Sequence, residues 1–284
     1  MSLRFLVVEG NTRATREAHL AGFGASPADH YGAVLLEVAG GGSYDILCPA
    51  DPDASLPHNS ALKDYDGVVL TGSALHLWHG EPESMRQVEL ARAIFKANVP
   101  FFGSCWGLQV AAVAAGGAVH QNPRGREMGF ARRIVPNSAG RTHPLLKGRP
   151  EAYEAPCSHL DEVKTLPPDA TLLASNAISM VQAAEIRHEG GTFWGVQYHP
   201  EFTPNLTAYL IERRGETLIE EGLFTDKAQH EAYVADIRAL EDNPKARHVA
   251  FRHGLGPDVT EPDLRVLELR NFIEARVKPH HAAR

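Results

Sequence analysis

Short continuous apolar runs alternate with longer amphipathic stretches along the first two thirds of the chain. Arg4–Glu9, Tyr44–Cys48, Gly67–Thr71 and Val99–Gly103 read as strands. Between them Tyr31, Val34, Leu35 and Val38 recur at helical spacing, as do Val88, Ala91, Ile94 and Phe95 within Glu83–Ala97. Asn98 followed by Val-Pro closes that second helix. Gly67-Val68-Val69-Leu70 and Val99-Pro100-Phe101-Phe102 lack the polar alternation of a half-solvated strand, as expected when helices cover both faces of a parallel sheet. The pattern predicts an α/β fold, a mostly parallel central sheet flanked by helices.

From about residue 129 the texture changes to shorter strand-like pieces: Phe130–Val135, Thr171–Ala174, Ala183–Arg187 and Thr192–Gln197. Glu189-Gly190-Gly191 between the last two reads as a hairpin turn. A helix over about 203–221 closes a first domain, 1–221. The remainder, 222–284, is charged and helical in pattern, broken at Asn243-Pro244 and Gly254-Leu255-Gly256-Pro257. It is expected to be a C-terminal extension that either packs on the core or serves in oligomerisation, a homo-oligomer included.

Composition narrows the function classes. The 284 residues are 43% hydrophobic and 22% charged, enough to bury a core. A formal charge of −7 argues against a nucleic-acid or anionic-membrane binder. No apolar run is long enough to cross a membrane, and the apolar start is too quickly interrupted for a signal peptide. Three cysteines, Cys48, Cys105 and Cys157, give no disulfide framework and suit a reducing, cytoplasmic setting.

The surroundings of Cys105 carry the chemistry. The apolar strand ends in Gly103-Ser104-Cys105-Trp106-Gly107, and a helix of small apolar residues, Val110 to Ala115, follows. This is the cysteine form of a nucleophile elbow, whose sharp turn lifts the nucleophile above the sheet and whose flanking glycines avoid collisions. A helix N-terminus is expected to favour the thiolate. By itself the motif also suits a small buried cysteine. The second element is Gly195-Val196-Gln197-Tyr198-His199-Pro200-Glu201, a strand running into His-Pro-Glu. If the chain stays extended through Pro200, His199 and Glu201 leave on the same side, as a base and the carboxylate that orients it.

Together with the Gly-Arg-Glu-Met-Gly-Phe run at 125–130 and Ser158-His159-Leu160-Asp161-Glu162-Val163, these motifs make the chain resemble the class I glutamine amidotransferases. The likeness is to the branch typified by the amidotransferase domain of GMP synthase, and it extends over about residues 4 to 215. It implies a flavodoxin-like fold and a Cys105–His199–Glu201 triad working through a γ-glutamyl thioester. It further implies an oxyanion hole from the backbone N–H groups of Gly72 and Trp106, and a glutamyl pocket containing Gln109, Ser158, His159 and Leu160. Leu160 stands where relatives often carry glycine, which alters the pocket's shape.

No cofactor is implied. His76 and His79 near Trp78, and His280-His281, lack acidic or cysteine partners at ligand spacing, so no metal is expected. Gly40-Gly41-Gly42-Ser43 lacks the lysine of a phosphate-binding loop. Cys48 and Cys157 read as packing residues, and Arg13–Arg16 as solvated surface. No ATP-binding domain is visible. The favoured expectation is a free-standing hydrolase of a small-molecule γ-glutamyl amide. The alternatives are a glutaminase subunit serving a separate synthetase, or a silent binding module on the same fold.

Overall fold

A computed structural model describes residues 2–284. The first apolar runs become β1 (Arg4–Val8), β2 (Ser43–Leu47), β3 (Gly67–Leu70) and β4 (Phe101–Ser104). With β11 (Gly191–Val196) they form a parallel half-sheet ordered β2-β1-β3-β4-β11, the doubly wound flavodoxin-like arrangement. Beyond β11 the sheet continues antiparallel through β10 (Ala183–His188), β9 (Ala170–Ser175), β6 (Glu127–Pro136) and β7 (Tyr153–His159). β5 (Ala118–Gln121) and β8 (Asp161–Thr165) pair separately as a ribbon. Glu189 and Gly190 both adopt positive φ, 47° and 85°, which makes the β10–β11 connection the tight hairpin its sequence predicts.

Helices cover both faces. On one, α3 (Pro82–Ala97) and α4 (Trp106–Ala114) bury Val88, Ile94, Leu108 and Val110 against Leu6, Val68 and Phe101. On the other, α2 (Pro27–Ala39) shares its layer with the end of the chain: Leu269, Phe272, Ile273 and Val277 pack with Phe5, Val69 and Phe102. Residues 222–284 therefore lie against the body they follow. α1 (Arg13–Phe23) and α5 (Ser138–Thr142) complete the first part of the chain. The expected helix over about 203–221 is two, α6 (Pro204–Arg213) and α7 (Gly215–Glu220), interrupted at Arg214. α8 (Lys227–Asp242) and α9 (Arg247–Arg252) form a third cluster with α6, through Val234, Ile237, Leu240 and Ile211. α10 (Pro257–Thr260), α11 (Pro262–Arg265), α12 (Leu267–Phe272) and α13 (Lys278–Ala282) then return the chain to the sheet.

A buried polar cluster joins extension to core. Arg149 donates to both carboxylate oxygens of Glu268 at 2.7 Å. Tyr198 donates to Glu268 Oε1 at 2.8 Å and meets the Tyr153 hydroxyl at 2.8 Å. Neither Arg149 nor Glu268 exposes its side chain. Among the described residues no helix is long and apolar enough to cross a membrane.

The hairpin carries a pH-sensitive contact. His143, Trp194 and Arg187 surround the Glu185 carboxylate and hold its pKa down at about 2 from an ordinary 4.5. A depressed carboxylate contributes stability above its unfolded value, and loses it as pH falls through the folded one. Glu185→Gln is therefore expected to lower the urea midpoint at pH 7, with the deficit shrinking as pH falls from about 4.5 towards 2. A deficit independent of pH over that range would exclude this role.

Candidate active site

The site forms where the parallel strands end. Cys105 takes φ 52° and ψ −102°, in the left-handed half of backbone space, which costs about 1–3 kcal/mol and persists only where its surroundings enforce it. They do. Its N–H donates to Val196 O at 2.7 Å, tying the nucleophile turn to the strand that leads to His199. A Cβ at Gly103 would lie 2.8 Å from Gly107 Cα, so strand and helix pass too closely for side chains at those two positions.

His199 follows β11 and is buried, with Nδ1 2.6 Å from Glu201 Oε1. The other Glu201 oxygen accepts from Ser104 Oγ at 2.9 Å, and that hydroxyl meets Tyr31 OH at 3.0 Å. Phe202 stacks on the imidazole, with centroids 3.8 Å apart and planes within 7°. The ring is thus fixed at Nδ1 and over its face, and His199 and Cys105 border the same chamber. Burial pushes the Cys105 thiol up to about 12, against the Trp106 N–H that favours the thiolate. The N–H at the helix start does favour the thiolate, as expected, but burial acts more strongly in the other direction. Desolvation wins, and a base must take the proton during attack.

The loop after β3 completes the centre. A Cβ on Gly72 would come within 2.6 Å of His199 Cε1, so glycine is required for this loop to approach the imidazole. Asn11 holds it in place, donating to Gly72 O at 3.1 Å and accepting from Ala74 N at 3.1 Å. Glu9, buried and with its pKa raised by burial, in turn accepts from Asn11 Nδ2 and N, both at 2.8 Å. Sequence reasoning passed over Glu9 and Asn11, and only their place at the end of β1 marks them.

Two chambers meet at Cys105. The polar one is bordered by Gln109, Ser158, His159, Leu160, Asp161 and Arg214. Gln109 donates to Asp161 O at 3.0 Å and Ser158 O lies 3.9 Å from the Cys105 sulfur. The His159 ring is tied to Glu127 Oε2 at 3.0 Å and Asp161 O at 3.1 Å, so it braces the wall. Asp161 ends the Ser158–Asp161 loop that the resemblance places at the pocket. Its Oδ2 accepts from His76 Nδ1 at 2.7 Å and Trp78 Nε1 at 3.1 Å, while its buried Oδ1 has no partner. The second chamber, of about 90 Å³ against about 150 Å³ for the polar one, lies between α1, α2 and α6. Arg16, expected to be solvated, is instead largely covered and ion-paired with Asp51 at 2.5 Å. Cys157 is buried and Cys48 half-buried. Among the described residues no group of three or more His, Cys, Asp or Glu is arranged to hold a metal ion.

Comparison with known proteins places this architecture. The family described as glutamine amidotransferase class-I matches residues 44–216. A Pseudomonas gamma-glutamyl-L-1-hydroxyisopropylamide hydrolase is 33% identical over 98% of this chain and 94% of its own. A GMP synthase from Aeromonas hydrophila is 35% identical over 48% of this chain, and the matched part is 26% of that protein. A solved glutamine amidotransferase from Thermotoga maritima shares the fold at a TM-score of 0.63 and 19% identity, over 98% of this chain and 99% of its own. With the elbow, the His-Pro-Glu strand end and the sheet order all in place, the chain belongs to the class I glutamine amidotransferase family.

Proposed function

We propose that the protein hydrolyses γ-glutamyl amides by itself, with Cys105 as nucleophile, His199 as base and then acid, and Glu201 orienting the imidazole. The observation that carries this reading is the meeting of two chambers at one sulfur. The polar chamber suits a glutamyl group: the unpartnered Asp161 Oδ1 supplies an acceptor for its α-ammonium, and Arg214, half-buried at the junction, a cation for its α-carboxylate. The second chamber, of about 90 Å³, has room for more than a molecule of ammonia.

The Cys105 sulfur attacks the γ-carbonyl carbon as His199 takes its proton. The N–H groups of Gly72 and Trp106 receive the developing oxyanion. Collapse breaks the C–N bond and the proton passes from His199 to the leaving nitrogen. Water, activated by the same imidazole, then cleaves the thioester to glutamate and free thiol.

The GMP synthase likeness favours a second reading, a glutaminase subunit whose ammonia passes to a synthetase. Comparing kcat/KM of the isolated chain for glutamine and for N-alkyl γ-glutamyl amides separates the two. A stand-alone hydrolase is expected to prefer a substituted amide. Glutamine ahead by about a hundredfold, equivalent to about 2.7 kcal/mol of transition-state binding, would favour the subunit instead.

A further inference from the structure

α1 is an unusual wall for the second chamber. It buries a single side chain, and that side chain is a histidine. His19 is 7% exposed, lies edge-on to Tyr209 of α6 at 5.4 Å, and its Nε2 has no hydrogen-bond partner. A helix that serves only as packing would bury an aliphatic residue here, since an unpaired polar nitrogen carries a desolvation cost of about 1–3 kcal/mol. Facing the same space is Arg213, an exposed guanidinium that, among the described residues, forms no ion pair. Burial first, then the charge of Arg213, pushes the pKa of His19 down to about 4, so the imidazole is neutral and the arginine carries the charge. The one carboxylate bordering the chamber, Glu201, is engaged with His199 and Ser104. Pro27, Phe202, Leu206 and Leu210 form an apolar side of the wall, and Asn11, Thr15, His30 and Tyr31 add polar groups to the rest.

We infer that this chamber receives a leaving group with an apolar body and a carboxylate, an amino acid released from a γ-glutamyl dipeptide, and that Arg213 with His19 reads the carboxylate. The inference rests on the hydrolase reading above and narrows its substrate class. The bond cleaved is the same γ-amide, and the amine departs as the α-amino group of the second residue. A neutral alkylamine would fill the apolar wall and leave His19 Nε2 unpaired. An amino acid would satisfy both, and its negative charge would sit beside a cation that has no other partner. Arg214 borders both chambers and is assigned here to the glutamyl end, so Arg213 is the residue whose effect belongs to the leaving group alone.

The test uses the full chain with a matched pair, γ-L-glutamyl-L-leucine and γ-L-glutamyl-3-methylbutylamide, which differ only in the carboxylate. The dipeptide is expected to lead in kcat/KM by about tenfold or more, the scale of one charge-assisted hydrogen bond. Arg213→Met should collapse that ratio towards unity, Arg213→Lys retain part of it, and Arg213→Glu reverse it. Arg213 is exposed at the end of α6, so folding is not at stake. Equal turnover of the pair, or a ratio that survives Arg213→Met, overturns the inference and leaves the hydrolase reading standing. Failure to hydrolyse either compound or any other γ-glutamyl amide overturns both.

Discussion

Replacing Cys105 by alanine is expected to lower kcat/KM for any γ-glutamyl amide by at least about 10⁴-fold while the protein stays folded. The sulfur is the attacking atom in the proposed reaction, and nothing else at the junction can form the acyl intermediate. The substitution removes only weak contacts of the sulfur, with Ser158 O at 3.9 Å, the Trp106 N–H and the Gln197 side chain. The strained turn is held by the backbone bond to Val196 and the glycines, all of which remain. His199→Ala should be nearly as damaging, because a thiol held up at about 12 supplies almost no thiolate without a base. A glutamine-like diazo-ketone should label Cys105 and spare Cys48 and Cys157, read by peptide mapping. A folded Cys105→Ala protein with most of its activity, or label confined to Cys157, would identify the wrong nucleophile.

Glu268→Ala is expected to cost about 3 kcal/mol of stability, more than an ordinary substitution, because it leaves the buried Arg149 guanidinium with only Asp258, at 3.5 Å, and the Arg265 carbonyl, at 3.2 Å, as partners. The mutation also removes the acceptor of Tyr198, the residue immediately before His199. Activity should therefore fall under conditions where the protein is still folded. Urea unfolding followed by tryptophan fluorescence gives the stability, and a second variant locates its cause. In Glu268→Ala/Arg149→Met the buried charge is gone, so a substantial part of the loss should return. A loss below about 1 kcal/mol in the single variant, the scale of an exposed ion pair, would mean that the cluster is not held as described.

The parallel half of the sheet was legible in the sequence because its strands are buried on both faces and read as apolar runs. Elements that break that rule were not. β7 carries Pro156 in its middle, which reads against a strand, yet it ends the sheet, where an edge strand tolerates proline. β5 and β8 pair only with each other, and Asp161-Glu162 opens β8 with two charges. α1 has almost no apolar stripe because it covers a chamber, so its charged residues read as surface. The same logic divides the site. Cys105, His199 and Glu201 lie in short motifs with fixed spacing, and the structure gathers them at one junction. Asp161 Oδ1 and His19 Nε2 are marked by the partner they lack, and a missing partner is visible only in three dimensions. The extension's place was equally hidden, since Glu268 meets Arg149 across more than a hundred residues of chain.

Oxidants attack thiolates much faster than thiols. The burial that keeps Cys105 protonated therefore also shields it from peroxide between turnovers. A sulfur held as the thiol is oxidised only slowly by peroxide to the sulfenic acid, with the peroxide reduced to water, until a base draws off its proton. The raised pKa that makes the site depend on a base thus also lowers the share of thiolate that an oxidant can attack.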